Sequence, residues 1–233
     1  TSLWSDAAST TVSAQITTSY NRLRSMALAY ATMGSSLKGN AALRTDLLGA
    51  LDWMYANRYN ETKAIYDNWW DFEIGTPMAL VDTTALLYAD LSATQAANYM
   101  KAVEKFTPSA TTPAAGGSTG TFTGANRMWK IYVVTIRGII VKDGVKLSAV
   151  RDAFSNLFLY VTSGDGFYPD GSFVQHTKHP YTGGYGASLL TSIAQVLALI
   201  NGPNADNPDG STWRVTDPNL ANVYRWVFKS YEP

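Results

Sequence analysis

Val12, Ile16, Tyr20, Leu23, Ala27 and Tyr30 recur at steps of three and four residues. Side chains so spaced share one stripe of an α-helix, and that stripe must be buried against another element. The same period returns along most of the 233-residue chain. Gly34 is placed to stop this first helix. Leu43, Leu47, Leu51 and Met54 share a face behind Asn40, whose carboxamide suits the free N–H groups that open a helix. Thr76-Pro77 is expected to open another, because Pro at the first position sacrifices no hydrogen bond. Ser92 is expected to cap a helix carrying Tyr99, Val103 and Phe106. Further helices are expected around Met128, Ile131, Val134, Ile136 and Ile140, over 147–159, over 183–200, and after Asp217-Pro218. No convincing alternation argues for strands. The expected class is therefore all-α, with about eight or nine helices packed as hairpins in a single domain over residues 1–233.

The connections carry turn chemistry. Residues 108–124 (PSATTPAAGGSTGTFTG) read as a long surface loop of small residues, 163–172 (SGDGFYPDGS) as a turn-rich segment, and 201–211 (NGPNADNPDGS) as a further loop. No exact internal repeat is visible, although a ring of diverged hairpins would show none.

Composition excludes some functions. Eighteen basic and eighteen acidic residues give zero formal charge, so the chain exerts no general pull on nucleic acid or an anionic membrane. No apolar run is read as long enough to span a bilayer. Absent cysteine removes disulfides and thiolate metal sites, and fits either the cytosol or bacterial secretion. The start, Thr-Ser-Leu-Trp, suits a mature secreted protein or an excised fragment, and a secreted bacterial protein is expected.

Residues 172–186 (SFVQHTKHPYTGGYG) hold the only two histidines of the chain, His176 and His179. Their spacing invites a metal, but Pro180 follows and no carboxylate cluster completes a coordination set. A hydrogen-bonded structural histidine is the ordinary reading of His176. Against it stand two phenols, Tyr181 and Tyr185, able to act as base or acid when the pKa is lowered, and Gly183-Gly184, where backbone can approach a bulky ligand.

Three other stretches are candidates. In DNWWDFEIGTP, adjacent Trp69 and Trp70 cannot both point into one core from a helix. Flanked by Asn68, Asp71 and Glu73, they suit a flat platform for sugar rings. In TGANRMWK, Asn126 reads as an N-cap or as a carboxamide that binds a carboxylate at a helix start. Asp165 and Asp170 read as turn residues beside glycine, with a glycosidase acid/base pair as the rival.

NWWDFEIGTP, TGANR, SGDGFYPDGSFVQHT and YTGGYG, in this order, resemble the catalytic helical domain of polysaccharide lyase family eight, which includes hyaluronate, chondroitin AC and xanthan lyases. The motifs cover roughly residues 68–186, and the flanking helices fit as well. The resemblance implies an incomplete α/α toroid with a long cleft, followed in the family by antiparallel β-sheet domains. It implies β-elimination at a uronic acid of an acidic polysaccharide, without cofactor or metal. Asn126 takes the place of the catalytic Asn, His176 of the catalytic His and Tyr185 of the catalytic Tyr; Trp69 and Trp70, with Asn68 beside them, match the aromatic platform. The base is Tyr185 or His176. His179 has no counterpart.

RMWK after Asn126, GTPMAL after the tryptophans and LDWMYANRYN look closer to xanthan lyases than to glycosaminoglycan lyases. The expected substrate is a mannosyl-glucuronate side chain of xanthan, with hyaluronate or chondroitin as the alternative. The family also has an essential Arg beyond the catalytic Tyr, in a segment past Glu232. The chain is thus expected to be the N-terminal part of a longer enzyme, partnered by its own β-sheet portion and weakly active or inactive alone. Nucleic acid and membrane are not expected partners. The rival readings are a toroid glycoside hydrolase and a non-catalytic sugar-binding helical module.

Overall fold

A computed structural model describes residues 2–207 and 210–232; Pro208 and Asp209 of the expected 201–211 loop lie outside the described residues. The class is all-α: eight α-helices stand among the described residues, with three strands of two or three residues each. The chain sorts into two compact units, Thr1–Pro108 with Pro113–Gly120 and Ile139–Lys142, and Ser109–Thr112 with Thr121–Gly138 and Asp143–Pro233.

The first unit holds α1 (Ala14–Ala31), α2 (Ala41–Asn57), α3 (Thr76–Leu86) and α4 (Ala93–Phe106). The stripe of α1 is buried at Ile16, Tyr20, Leu23 and Ala27, whereas Val12 falls ahead of the helix and is exposed. Gly34 has φ 84°, the left-handed turn that ends a helix. Asn40 accepts from the Leu43 N–H at 2.9 Å. Ser92 and Gln95 form a reciprocal capping box at the start of α4. An aromatic knot of Tyr59, Phe72 and Phe106 fills the centre, with Tyr59 and Phe106 ring centroids 4.6 Å apart.

Thr76-Pro77 opens α3 with Pro in its first turn, as expected, but not out of extended chain. The chain is already helical at Trp69, passes through a π-helical turn at Asp71–Gly75, and continues into α3. The wider turn shifts the hydrogen-bond register: the Thr76 N–H donates to the Asp71 carbonyl, five residues back. Two carbonyls lose their helical donors, and side chains replace them. Tyr59 donates its hydroxyl to the Phe72 carbonyl at 2.7 Å. The Glu73 carbonyl, which Pro77 cannot serve, accepts from Thr107 Oγ1 at 2.8 Å.

The small-residue loop is less superficial than expected. Within this unit the carboxylate of fully buried Glu73 accepts from the Ala114 N–H at 3.0 Å and the Ser118 N–H at 2.8 Å. A Cβ added at Gly117 would collide with Glu73 Oε1, so the glycine is sterically required.

The second unit holds α5 (Gly124–Val141), whose last three residues count with the first, then α6 (Gly144–Ala153), α7 (Ala187–Ile200) and α8 (Ala221–Ser230). Its core joins Met128, Ile131 and Val134 of α5 to Leu189, Ile193, Val196 and Ile200 of α7 and Trp226 of α8. Phe167 stacks on Trp226 with centroids 4.5 Å apart. Asp217 caps the turn before α8 by accepting from the Asn219 N–H at 2.7 Å. A three-stranded antiparallel meander, β1 (Gly166–Phe167), β2 (Phe173–Gln175) and β3 (His179–Pro180), was not expected. It pairs Phe167 with Phe173 and Gln175 with His179.

A second π-helical turn, Thr182–Gly186, runs straight into α7. The joined segment Thr182–Ile200 has mean hydropathy 1.4 and is, by length and composition, long enough to cross a bilayer, contrary to the sequence reading. Its apolar stripe is buried in the core of the unit, which is the ordinary setting of such a helix in a folded domain.

Candidate active site

The second unit brings three sequence candidates onto neighbouring elements. His176 occupies the turn between β2 and β3, Tyr185 the π-helical turn before α7, and Asn126 the first turn of α5. Asn126 is the third residue of that helix, so it is not an N-cap. Its carboxamide oxygen is buried without a hydrogen-bond partner in the protein.

His176 Nε2 lies 3.0 Å from the Tyr185 hydroxyl. The imidazole is exposed and the phenol half-buried. Tyr181 packs edge-on against Tyr185, with centroids 5.0 Å apart, and the His179 ring stands 6.5 Å from the Tyr181 ring. Burial, and secondarily Tyr181, pushes the Tyr185 hydroxyl above the usual phenol range. Tyr185 therefore rests as a phenol. With Nε2 unprotonated, Tyr185 donates to His176, and a proton can pass between them.

The backbone under His176 is unusual. His176 has φ 54° and Thr177 φ 70°, left-handed values that are costly for a β-branched residue. Asp165 holds the turn: its Oδ1 accepts from the Thr177 N–H at 2.6 Å, and its Oδ2 from Gln175 Nε2 at 2.7 Å and Thr123 Oγ1 at 3.1 Å. Gln175 Oε1 in turn accepts from the Ala125 N–H at 3.0 Å. Asp170 accepts from Ser172, through N–H at 2.9 Å and Oγ at 2.7 Å, around the Gly171 turn. Both aspartates thus serve turns, as their neighbouring glycines implied.

Sequence reasoning missed Trp129. From α5 it donates Nε1 to Ser188 Oγ at 3.0 Å and packs on the Tyr185 ring with centroids 5.5 Å apart. It stands three residues after Asn126, on the same helix face, which was the available signal. A Cβ at Gly183 would meet nothing, whereas one at Gly186 would stand 2.8 Å from the Tyr231 hydroxyl, so the crowded glycine is the later one.

In the first unit, Trp69 and Trp70 are both half-buried. Asn68 caps their helix, its Oδ1 accepting from the Trp70 N–H at 3.1 Å. Asp71 anchors the segment by accepting from Ser13 Oγ and Thr17 Oγ1, each at 2.7 Å. The Trp70 ring covers Gly75 so closely that any Cβ there would collide with it.

Among the described residues, no group of three His, Cys, Asp or Glu side chains is placed to hold a metal ion.

Residues 1–233 match the family profile described as "Polysaccharide lyase family 8, N terminal alpha-helical domain". The chain belongs to polysaccharide lyase family 8. Within the family it is 50% identical over 218 residues to a xanthan lyase of Bacillus sp. (strain GL1), covering 92% of this chain and 21% of that protein. It is 38% identical over 233 residues to a hyaluronate lyase of Thermasporomyces composti, covering 100% of this chain and 28% of that protein. The structure of Paenibacillus xanthan lyase superposes with a TM-score of 0.86 at 50% identity, covering 100% of this chain and 21% of that one. The chain therefore spans between a fifth and a third of the length of each of these three proteins.

Proposed function

We propose that the protein to which this chain belongs is a secreted polysaccharide lyase that cleaves the bond at C4 of a uronic acid by β-elimination. The reading rests on one observation above all: the 3.0 Å contact between His176 and Tyr185, in a chain of this family. The C5 proton of a uronate is weakly acidic, and its removal places charge on the adjoining carboxylate. Asn126, with its carboxamide at the start of α5, binds that carboxylate and stabilises the developing dianion, the kind of term that dominates many enzymes. Tyr185 or His176 takes the C5 proton, the C4–O bond breaks as the C4–C5 double bond forms, and Tyr185 gives a proton to the leaving oxygen. The product carries a C4–C5 double bond.

The raised Tyr185 pKa bears on which group is the base. A phenol held above its usual range is a poor base by itself. Proton transfer to His176 supplies the phenolate in the same contact, so the pair acts as one unit. Trp69 and Trp70 are proposed to stack on sugar rings, supported by their half-buried indoles, with Asn68 beside them at the substrate while its Oδ1 caps their helix. The proposed substrate is xanthan, favoured over hyaluronan or chondroitin by 50% identity to a xanthan lyase against 38% to a hyaluronate lyase. The portion that completes the cleft is proposed to lie in the rest of the protein, since the relatives are several times longer.

Incubating the full-length protein separately with xanthan, hyaluronan and chondroitin, and following the ultraviolet absorbance of the new double bond, tests this. A rise with xanthan alone is expected. A rise with the glycosaminoglycans instead retains the chemistry and overturns the substrate. No rise with any polymer overturns the lyase reading.

A further inference from the structure

We propose that Asp165 and Gln175, which touch no reacting atom, are positioning residues that lock the His176 turn to the first turn of α5 and so set the spacing of His176 and Asn126. The proposal rests on the lyase reading.

His176 cannot hold its own place. It is exposed, its backbone lies in the left-handed region, and the hydrogen bond it makes with its side chain is to Tyr185, itself a proposed reactant. Its position comes from the residues on either side. Thr177 N–H and Gln175 Nε2 both donate to Asp165, one to each carboxylate oxygen. Through its other end, Gln175 accepts from the Ala125 N–H, immediately before Asn126. Thr123 Oγ1, at the mouth of the same helix, also donates to Asp165. One carboxylate and one carboxamide thus tie residues 175 and 177 to residues 123 and 125.

The polarity of the chain of bonds is fixed. Gln175 Oε1 must face an N–H and Nε2 must face the carboxylate, because the opposite orientation would set donor on donor and acceptor on acceptor. Gln175 is 1% exposed, so water cannot repair a mismatch. Gly124 records how close the parts are: a Cβ there would stand 2.5 Å from Gln175 Oε1 and 3.1 Å from Asp165 Cβ. The glycine of TGAN therefore makes room for the clamp, and its φ of 52° is one that L side chains rarely adopt.

The test exploits the polarity. Asp165→Asn places an NH2 against Gln175 Nε2, and Gln175→Glu places a second carboxylate against Asp165. The double variant restores complementarity: the amide introduced at position 165 donates to the carboxylate introduced at position 175, whose second oxygen still accepts from the Ala125 N–H. In the full-length protein, assayed on the polymer the wild type cleaves, each single variant is expected to lower kcat roughly 10- to 100-fold with KM changed by less than about threefold, the scale of an ångström-sized misplacement. The double variant is expected to recover most of kcat. Hydrogen exchange of the peptide spanning residues 173–180 should rise in each single variant and fall back in the double.

Wild-type kcat in Asp165→Asn, or a loss that the double variant does not reverse, overturns the clamp while wild-type turnover upholds the lyase. If wild type yields no double bond from any polymer, the lyase reading fails and the positioning role falls with it. If a single variant does not fold, Thr123→Val, which removes one bond to Asp165, decides: a kcat drop of about two- to fivefold at constant KM supports the clamp, and wild-type kcat overturns it.

Discussion

The hydroxyl of Tyr185 and Nε2 of His176 stand 3.0 Å apart with their rings nearly perpendicular, at 88°. The perpendicular arrangement brings the hydroxyl end-on to a ring nitrogen, the geometry of a proton held between two groups rather than of two stacked surfaces. Trp129 and Tyr181 pack on the phenol. The imidazole is left on the exposed side.

If the two groups act as one unit, their losses will not add. Tyr185→Phe is expected to lower kcat by about 10²- to 10⁴-fold, the usual worth of a positioned acid or base. His176→Ala should fall in the same range, and the double variant should be no worse than the poorer single. Melting temperatures should stay within a few degrees of wild type. Multiplicative losses in the double variant would show two independent groups.

Two buried tyrosines of the first unit should respond oppositely to loss of the hydroxyl. Tyr59 donates to the Phe72 carbonyl, orphaned by the π-helical turn, so Tyr59→Phe should cost about 1–3 kcal/mol. The hydroxyl of fully buried Tyr20 has no partner in the protein, so Tyr20→Phe should be neutral or stabilising by up to about 1 kcal/mol. Urea unfolding of the two variants checks the contrast.

Alkaline pH should unfold the protein through its tyrosines. Burial raises Tyr20 and Tyr59 far above the usual phenol range, and burial with a hydrogen bond to Asp52 raises Tyr99. Burial, with Glu61 adding, pushes Tyr55 up to about 12. Above the unfolded value of about 10, the unfolded chain has released protons that the folded chain retains, so stability falls as pH rises. Below about pH 9 these groups contribute no slope. The share of phenolate absorbance that belongs to fully buried Tyr20 and Tyr59 should appear together with loss of helical circular dichroism, not before it.

Two glycine-to-alanine changes should move stability in opposite directions. Gly49 lies inside α2 where an added Cβ would meet nothing, so Gly49→Ala should stabilise by about 0.5–1 kcal/mol. Gly117→Ala would force a methyl into the Glu73 carboxylate and should cost about 1–3 kcal/mol. Thermal melts of the two variants test the pair.

The helices were legible because burial imposes a period, and Ile16, Tyr20, Leu23 and Ala27 carry it plainly. The caps at Asn40, Ser92 and Asp217 were legible because each has a local chemical reason. The meander was not, since strands as short as Gly166–Phe167 are too brief to show alternation. The start of α3 was legible because Pro77 marks a helix N-terminus, but the π-helical turn that feeds into it was not, since such a turn leaves no pattern in composition. His176, Tyr185 and Asn126 were found as residue types in motifs. Asp165 and Gln175 were read as a turn residue and an unremarked neighbour, because their role exists only once residues 123–125 and 175–177 meet in space.

The π-helical turn at Asp71–Gly75 amounts to one extra residue threaded into a continuous helix, and the one at Thr182–Gly186 to one extra residue in the first turn of the helix that α7 continues. Deleting a single residue from DFEIG or TGGYG would leave the helix intact as a rod but swing everything upstream about 100° around its axis, the angle of one α-helical step. Trp69 and Trp70 would then face elsewhere in one segment, and Tyr181 with the approach to His176 in the other. In both segments the aim of aromatic side chains is set by residue count. Shortening either by one is therefore a way to misdirect a site while sparing the helix that bears it.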